Sequence, residues 1–150
     1  TILKNTFSMF NQSLSKHNEK ITYDNSSDLA KSLKKSKTIK KQVNQNLEDF
    51  KKSKEKSKHY SSTTANNFYK DLSEIDLALS VGSFNYEMDI TENDTSYVVD
   101  ITMGEKYDFE LWPWDKRFSL VNNAGYALQC MGIVKQYDWD INYQIVVEKE

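Results

Sequence analysis

The chain has 150 residues, of which 38% are hydrophobic, and its 20 Lys and Arg and 22 Asp and Glu give a formal net charge of -2. A chain of this length can bury enough surface to fold as one domain without covalent staples. Cys130 is the only cysteine, which excludes an internal disulfide framework and a cysteine-based metal site, and no apolar run reaches the roughly 20 residues of a membrane-spanning helix.

The first half of the sequence predicts three amphipathic helices. Apolar residues at helical spacing predict one near residues 2–16, followed by an irregular interval. A long second helix starts at a cap formed by Ser26 or Ser27 and continues to about Lys58. A third covers residues 68–79. The stripes expected to face the core are Leu3, Phe7, Phe10 and Leu14; then Leu29, Leu33, Ile39, Val43, Leu47 and Phe50; then Phe68, Leu72, Ile75 and Leu79.

At Gly82 the hydrophobic period changes from helical to two. Residues 84–90 and 97–103 alternate apolar and polar side chains on either side of a turn, which predicts an antiparallel hairpin with one buried face. Residues 119–132 predict an apolar helix. The last strand alternates most clearly, with Tyr137, Trp139, Ile141, Tyr143, Ile145 and Val147 on one face.

This order predicts the α+β class, with N-terminal helices followed by a β-β-α-β unit. If the third strand lies beside the first, the unit forms a three-stranded antiparallel sheet with helices on one face. We expect a single domain in which residues 1–60 are a Lys-rich helical region, either part of the active module or a delivery or linker segment, and residues 64–150 are the α+β core. Because the chain begins with Thr1 rather than Met, we expect it to be a piece of a longer protein.

The charges are divided unevenly along the chain. Residues 1–75 contain 15 Lys and 8 acidic residues, whereas residues 76–150 contain 14 acidic residues, 4 Lys and Arg117. A basic segment can bind nucleic acid or anionic lipid. These Lys residues occupy the polar positions of a helical pattern, however, so we expect a solvated surface and no nucleic-acid partner.

Five acidic residues fall on the polar face of the predicted sheet. Three interpretations are open: a solvated surface, a cation site, or a docking surface for a basic partner such as the chain's own Lys-rich helix. We expect His17 and His59 to be solvated rather than catalytic, and no sequence motif of nucleophilic catalysis is present. The five acids are Glu87, Asp89, Asp100, Asp138 and Asp140.

The strongest functional signal is the segment 104–117, which follows the second strand and contains the only Pro, the only Arg and two of the three Trp. Loops on a rigid scaffold commonly carry function. Its clustered carboxylates suit a hard cation such as Mg²⁺ or Ca²⁺, and Arg117 could bind a phosphate bidentately beside such a cation. The alternative is an acidic turn whose aromatic residues close one end of the core. The carboxylates are Glu105, Asp108, Glu110 and Asp115, and the aromatic residues are Tyr107, Phe109, Trp112 and Trp114.

Two short motifs resemble a known group of proteins. A helix that leads into residues 79–84, Leu-Ser-Val-Gly-Ser-Phe, and a Tyr-Asp-Phe at the end of the second strand resemble the C-terminal toxin domains of bacterial polymorphic secreted toxins, as carried on LXG or Rhs proteins. The resemblance covers roughly residues 68–147.

Within it, residues 105–108, Glu-Lys-Tyr-Asp, are similar to the Asp-x-Tyr-Asp start of the colicin M signature. The sequence departs from that signature in two ways. Glu105 stands in place of the first Asp. The His-Arg pair expected after five further residues is Trp114-Asp115, with Arg117 displaced.

The resemblance implies a secreted antibacterial toxin, delivered to the envelope of a target bacterium, that cleaves the undecaprenyl-pyrophosphate linkage of lipid II with magnesium. It implies that Asp108, Tyr107 and Arg117 are catalytic, and that Asp108, Glu105 and Asp115 hold Mg²⁺ or Ca²⁺. The implied partners are a cognate immunity protein and a lipid-linked precursor or membrane surface.

Two other functions stay open on the sequence alone. Residues 119–134 are uncharged, so this segment could lie in a membrane interface or oligomerise, which suits a pore-forming or depolarising toxin without enzymatic activity. The chain could also be a structural or adaptor module that docks through its Lys-rich helix and its acidic sheet face.

Overall fold

The alternating sequences of the second half form the centre of a β-sheet in the computed structural model, which describes residues 3–15, 19–62 and 66–150. Helices from both halves of the chain pack on one face of this sheet. A short 3-10 turn (Leu72–Glu74) precedes the fourth helix. The elements in chain order are α1 (Lys4–Ser13), β1 (Ile21–Tyr23), α2 (Asp28–Lys35), α3 (Lys37–Ser53), β2 (Ser57–Ser61), β3 (Asn66–Asn67), α4 (Ile75–Ser80), β4 (Ser83–Phe84), β5 (Tyr86–Glu92), β6 (Ser96–Tyr107), α5 (Ser119–Cys130) and β7 (Tyr137–Glu148).

The main sheet has five strands in the order β1-β7-β6-β5-β2, and β3 and β4 pair separately. The predicted α+β class is confirmed, as are the β5–β6 hairpin and the final strand. The three-stranded arrangement is wrong in two respects. The final strand lies beside β6 rather than β5, and β1 and β2 extend the sheet, with β1 parallel to β7 and β2 antiparallel to β5.

The predicted long second helix is two helices separated at Ser36. The Ser36 hydroxyl accepts a hydrogen bond from the Ile39 backbone N–H (3.2 Å) and donates one to the buried Glu74 carboxylate, so it caps α3. At its other end α3 stops at Lys54, which has the left-handed conformation (φ 59°) that commonly ends helices. Residues beyond Lys54 therefore enter strand β2 rather than extending the helix to Lys58.

The third helix is shorter than predicted. Phe68 is buried before the helix begins, whereas Leu72 is 60% exposed and Leu77 is buried in its place. Asp76 explains why the buried face differs from the predicted one. Its carboxylate accepts hydrogen bonds from two backbone N–H groups in the first turn of α1, including that of Thr6 at 2.8 Å. These N–H groups have no partner within their own helix, so Asp76 binds α4 to α1.

The core lies between the apolar face of the sheet and the helices. Burial of alternate side chains along β5, β6 and β7 matches the predicted alternation. The buried stripe predicted for α3 is confirmed. The stripe predicted for α1 is wrong, because Phe7 and Leu14 are exposed and Met9 is buried. The largest buried contributors are Met9 from α1, Leu33 from α2, Phe50 from α3, Phe68 after β3, Phe84 from β4, Met88 and Ile90 from β5, Ile101 and Met103 from β6, and Trp139, Ile141 and Tyr143 from β7.

The opposite face of the sheet is polar, and part of its acidic charge is neutralised within the chain. The two ring nitrogens of His59 lie 2.7 Å from Asp89 and 2.6 Å from Glu87, and these carboxylates raise the pKa of His59. Lys20 lies 2.9 Å from Asp140 and lowers the pKa of that carboxyl. His59 is thus exposed but ion-paired, and the Lys-rich helix α3 packs on the other face of the sheet. His17 lies outside the described residues.

Replacing Trp139 by Ala should lower the free energy of unfolding by about 3–5 kcal/mol, as large truncations in a core do. The side chain is 2% exposed and packs edge-on against Tyr23 at 6.3 Å. Urea denaturation of both proteins measures the difference. Trp114→Ala is the matched control, because Trp114 is 68% exposed and its loss should change stability by less than about 0.5 kcal/mol. Equal effects of the two substitutions would show that the alternating face of β7 is not in the core.

Candidate functional site

The segment after Tyr107 runs along α5 and is held there by side-chain amides. Gln129 accepts a hydrogen bond from the Phe109 backbone N–H (2.9 Å) and donates one to the Phe109 carbonyl (3.0 Å). Asn123 makes the same pair of bonds with the backbone of Trp112, at 2.9 and 3.0 Å. Each amide thereby satisfies one residue's N–H and C=O as a neighbouring strand would. The loop is therefore fixed by α5 although it has no regular secondary structure.

Aromatic packing anchors the start of this loop in the core. Tyr107 is buried and stacks on Tyr137, with ring centroids 5.0 Å apart. Phe109 packs edge-on against Tyr107 at 5.6 Å and covers Gly125, where an added Cβ would lie 2.5 Å from the Phe109 ring. Burial raises the pKa of the Tyr107 hydroxyl. The structure gives Tyr107 a packing role, and its catalytic role remains a prediction.

A cavity of about 250 Å³ opens beside the loop, between the C-terminal end of α4 and the N-terminal end of α5. Glu105, at the end of β6, and Asp108, in the first position after it, both line this cavity, and so does Glu110. Lys106 lines it as well. The aromatic residues in its wall are Tyr69, Tyr107, Phe109, Trp112, Phe118 and Trp139.

The environment of the cavity disfavours charge on two of its carboxyl groups. Burial raises the pKa of Glu105, and repulsion from Asp108 adds to the shift. Burial likewise raises the pKa of Asp108, with repulsion from Glu110 as the second cause. Acidic groups shifted in this way within a cleft are typical of functional sites, although structural acids can show the same shift.

The other two predicted site residues lie apart from this pair. Asp115 is exposed and is not among the residues that line the cavity. Arg117 is also exposed, and its Nη1 donates to the Tyr69 carbonyl at 3.2 Å, which places it near the cavity wall. Across residues 3–15, 19–62 and 66–150, no three His, Cys, Asp or Glu side chains form a metal-binding group. The predicted cation site of Glu105, Asp108 and Asp115 therefore remains a prediction. The structure brings Glu105 and Asp108 to one cavity and leaves Asp115 outside its lining.

The donor chemistry at the cavity nevertheless suits a hard cation. Mg²⁺ commonly binds through one or two carboxylates while keeping several waters or substrate phosphate oxygens. Glu105 and Asp108 supply that number of carboxylates. Burial is the main cause of the raised pKa of Glu105, and a cation would offset the repulsion from Asp108 that adds to it. The two carboxylates thus fit Mg²⁺ that completes its coordination with water and substrate.

Backbone conformation at two positions shapes the cavity wall. Gly82 has a φ of 72°, and a Cβ there would lie 2.5 Å from the Tyr69 hydroxyl oxygen, so the close approach of Tyr69 requires glycine. Phe118 has a φ of 65° at the start of α5, which is unusual for a bulky residue. Tyr69 lies 5.4 Å from Trp112 and 6.2 Å from Phe118, measured between ring centroids. A strained position such as Phe118 persists where the surrounding packing fixes it.

Sequence reasoning identified the acidic residues of the cavity but missed the residues that hold the loop. The prediction of an apolar helix over residues 119–132 gives no role to Asn123 or Gln129. Asn122, which donates to the Glu110 carbonyl at 2.6 Å, was missed in the same way. The available signal was that these amides stand in a helix without charged residues, beside a loop whose backbone needs partners.

No protein-family model and no curated protein matches the chain at a significant level. Among solved structures, the chain is similar to PaeM, a colicin M-like bacteriocin produced by Pseudomonas aeruginosa, with 10% sequence identity and a TM-score of 0.48 over 97% of this chain and 52% of that one. It is also similar to truncated syringacin M from Pseudomonas syringae pv. tomato DC3000, with 9% identity and a TM-score of 0.41 over 99% of this chain and 60% of that one. The likenesses are distant, and the chain spans about half the length of the first structure.

Gln129→Ala should lower the free energy of unfolding by about 1–3 kcal/mol, because it leaves the backbone N–H and C=O of Phe109 without their partner. Gln136→Ala is the matched control, since Gln136 is exposed and its loss should have little effect. Urea denaturation measures both changes. If Gln129→Ala matches the control, the amide does not hold the loop.

Proposed function

We propose that the chain is the toxin domain of a secreted antibacterial effector, of the polymorphic toxin type, that cleaves a lipid-linked pyrophosphate precursor of the cell wall in a reaction dependent on Mg²⁺ or Ca²⁺. The observation that carries this proposal is the pair of carboxylates with raised pKa, Glu105 and Asp108, on one cavity. They occupy the two acidic positions of the segment that resembles the Asp-x-Tyr-Asp start of the colicin M signature.

In this proposal Glu105 and Asp108 hold the cation. When bound there, the cation would neutralise phosphate charge and polarise a phosphoryl oxygen. Within residues 3–15, 19–62 and 66–150, Arg117 donates to the Tyr69 carbonyl, and its other N–H groups suit a phosphate oxygen of the substrate. Asp115, which does not line the cavity, would contact the cation only if its part of the loop moved.

The packing of the loop supports a catalytic arrangement of this kind. Tyr107, which stacks on Tyr137 and packs edge-on against Phe109, fixes the position at which Asp108 leaves the strand. Glu105 is half-buried, and its partial removal from water strengthens the interaction of its carboxylate with a cation or a phosphate. Residues that are held rigidly by packing position reacting groups better than mobile ones do.

The proposal also names a place of action and partners. A lipid-linked precursor is anchored in a membrane, so the domain would act at the envelope of a target bacterium after secretion by another cell. A producing cell would need a cognate immunity protein to survive. Nothing in this chemistry requires a nucleic acid.

One observation favours a second candidate, a membrane-active toxin without enzymatic activity. Leu120, Val121 and Met131, in or next to α5, are 74%, 55% and 71% exposed. Within the described residues, no helix has the length and hydropathy needed to cross a bilayer.

Asp108→Asn should abolish most of the toxicity while leaving the melting temperature equal or higher. Burial in the folded state raises the pKa of Asp108, so the folded protein binds this proton more tightly than the unfolded chain does. The carboxyl therefore lowers the free energy of unfolding as the pH rises above the usual pKa of an Asp and the group becomes charged. Asn keeps the size of the side chain but removes both the charge and its cost. Growth of target cells that express the domain with a periplasm-directing signal, and thermal melts at pH 7, measure the two effects.

Glu148→Gln provides the matched control, because Glu148 is exposed near the end of β7 and its charge should not matter. A folded and fully toxic Asp108→Asn protein would contradict the catalytic proposal and favour the membrane-active one. A joint loss of stability and toxicity would instead show that Asp108 braces the loop.

Mg²⁺ should raise the melting temperature of the unmodified domain, because a ligand that binds only the folded state stabilises it. At free cation ten times the dissociation constant the gain is about 1.4 kcal/mol. Asp108→Asn should lose this shift, whereas Asp89→Asn, which removes an acid from the polar face of the sheet, should keep it. A shift that survives Asp108→Asn would place the cation elsewhere.

A further inference from the structure

Helix α5 is oriented opposite to an ordinary amphipathic helix. Its buried residues are Ser119, Asn123 and Gly125, all small or polar. The helix turns these residues inward because its amides bind the loop backbone and Gly125 makes room for Phe109. Several of its apolar residues, including Leu120 and Val121, are therefore turned towards the solvent, which is the reverse of the usual arrangement.

The outward residues form one stripe. Leu120, Ala124, Ala127 and Met131 follow one another at spacings of four, three and four, so they lie on the same side of the helix. All four are exposed, with Leu120 at 74% and Met131 at 71%. We call these four residues the α5 stripe.

Further exposed apolar side chains come from the chain segments that adjoin the two ends of the helix. Leu111 is 61% exposed and Trp114 is 68% exposed, both in the loop that α5 holds. Ile133, just beyond the helix, is 47% exposed. A concentration of exposed apolar groups of this kind marks a surface that contacts another apolar phase or partner.

The charges around the α5 stripe favour a membrane as that partner. Residues 118–134 contain no charged side chain, and Lys116, Arg117 and Lys135 flank them, against Asp115 on the same side. All three cations are exposed. An apolar helix face bordered by cations and an exposed Trp is the pattern of a helix that lies in a lipid interface and attracts anionic headgroups.

The candidate site adjoins the same helix, on a side next to the α5 stripe. Val121 and Asn122, which follow Leu120 on α5, line the cavity that contains Glu105 and Asp108. A surface that inserts α5 side chains into the lipid would thus hold the cavity beside the headgroups. This is where the phosphate groups of a lipid-linked substrate lie.

We propose that the α5 stripe is a peripheral docking surface for an anionic phospholipid bilayer, which presents the Glu105–Asp108 cavity to the membrane surface without breaching the bilayer. This inference rests on the proposed function only for the identity of the substrate that enters the cavity. Membrane docking itself follows from the inverted helix and its cationic flanks.

The test is co-sedimentation of the whole chain with vesicles of phosphatidylcholine alone or with one quarter phosphatidylglycerol, alongside release of a dye trapped in the same vesicles. We expect binding that is tighter on the anionic vesicles, with no dye release. Leu120→Glu should lower the partition coefficient at least about tenfold, because burying a single Leu is worth at least that factor. Since Leu120 is exposed, the variant should fold, and circular dichroism checks this.

Leu72→Glu is the matched control, because Leu72 is 60% exposed but lies outside the α5 stripe; its binding should stay unchanged. Asp108→Asn should also bind as the unmodified chain does, so a failure of the catalytic proposal is separable from a failure of docking. Absence of binding, equal binding by Leu120→Glu, or no preference for anionic vesicles would overturn the inference. Dye release would overturn it in favour of a pore-forming toxin. If the unmodified chain self-associates without binding vesicles and Leu120→Glu loses this self-association, the α5 stripe instead binds a second copy of the chain.

Discussion

The antiparallel pairing of β6 with β7 is the constraint on which the rest of the structure depends. It runs without interruption from Ser96 opposite Glu148 to Tyr107 opposite Tyr137. Because side chains alternate along both strands, this register fixes Tyr107 on Tyr137 and sets Glu105 opposite Trp139. A shift of one residue would turn Tyr107 outward and bury acids in its place. The position of the candidate site is therefore a consequence of strand register.

The loop and α5 show how one local requirement produces a feature elsewhere. An irregular segment beside a core needs partners for its backbone groups, and Asn123 and Gln129 supply them. The helix must face its polar side inward to do so. The apolar residues Leu120 and Met131 are consequently left outside. The arrangement of the cavity and the exposed stripe of α5 thus have a common physical cause.

Much of the fold could be predicted from the sequence because long runs of alternation and long helical stripes specify their own buried face. The β5–β6 hairpin, β7 and the core face of α3 belong to this group. The short β1 and the polar β2 could not be found, since an edge strand is stabilised by the neighbour it pairs with rather than by its own apolar pattern. The break at Ser36 was missed because a capping serine also fits the polar side of a helix.

The candidate site was predictable only in part for a similar reason. Glu105 and Asp108 stand close together in sequence at the end of a strand, so their shared location could be inferred. Whether Asp115 and Arg117 join them depends on the path of an irregular loop, which is decided by distant amides on α5. The inverted orientation of α5 could not be read from its apolar composition, because composition alone indicates burial.

The central claim is that Glu105 and Asp108 form a cation site, and paramagnetic line broadening by Mn²⁺, as a substitute for Mg²⁺, tests it most directly. In a nuclear magnetic resonance spectrum with assigned amide signals, trace Mn²⁺ should broaden the signals of residues 104–110 first. Broadening centred on Glu87 and Asp89 on the polar face of the sheet, or no selective broadening at all, would contradict the claim.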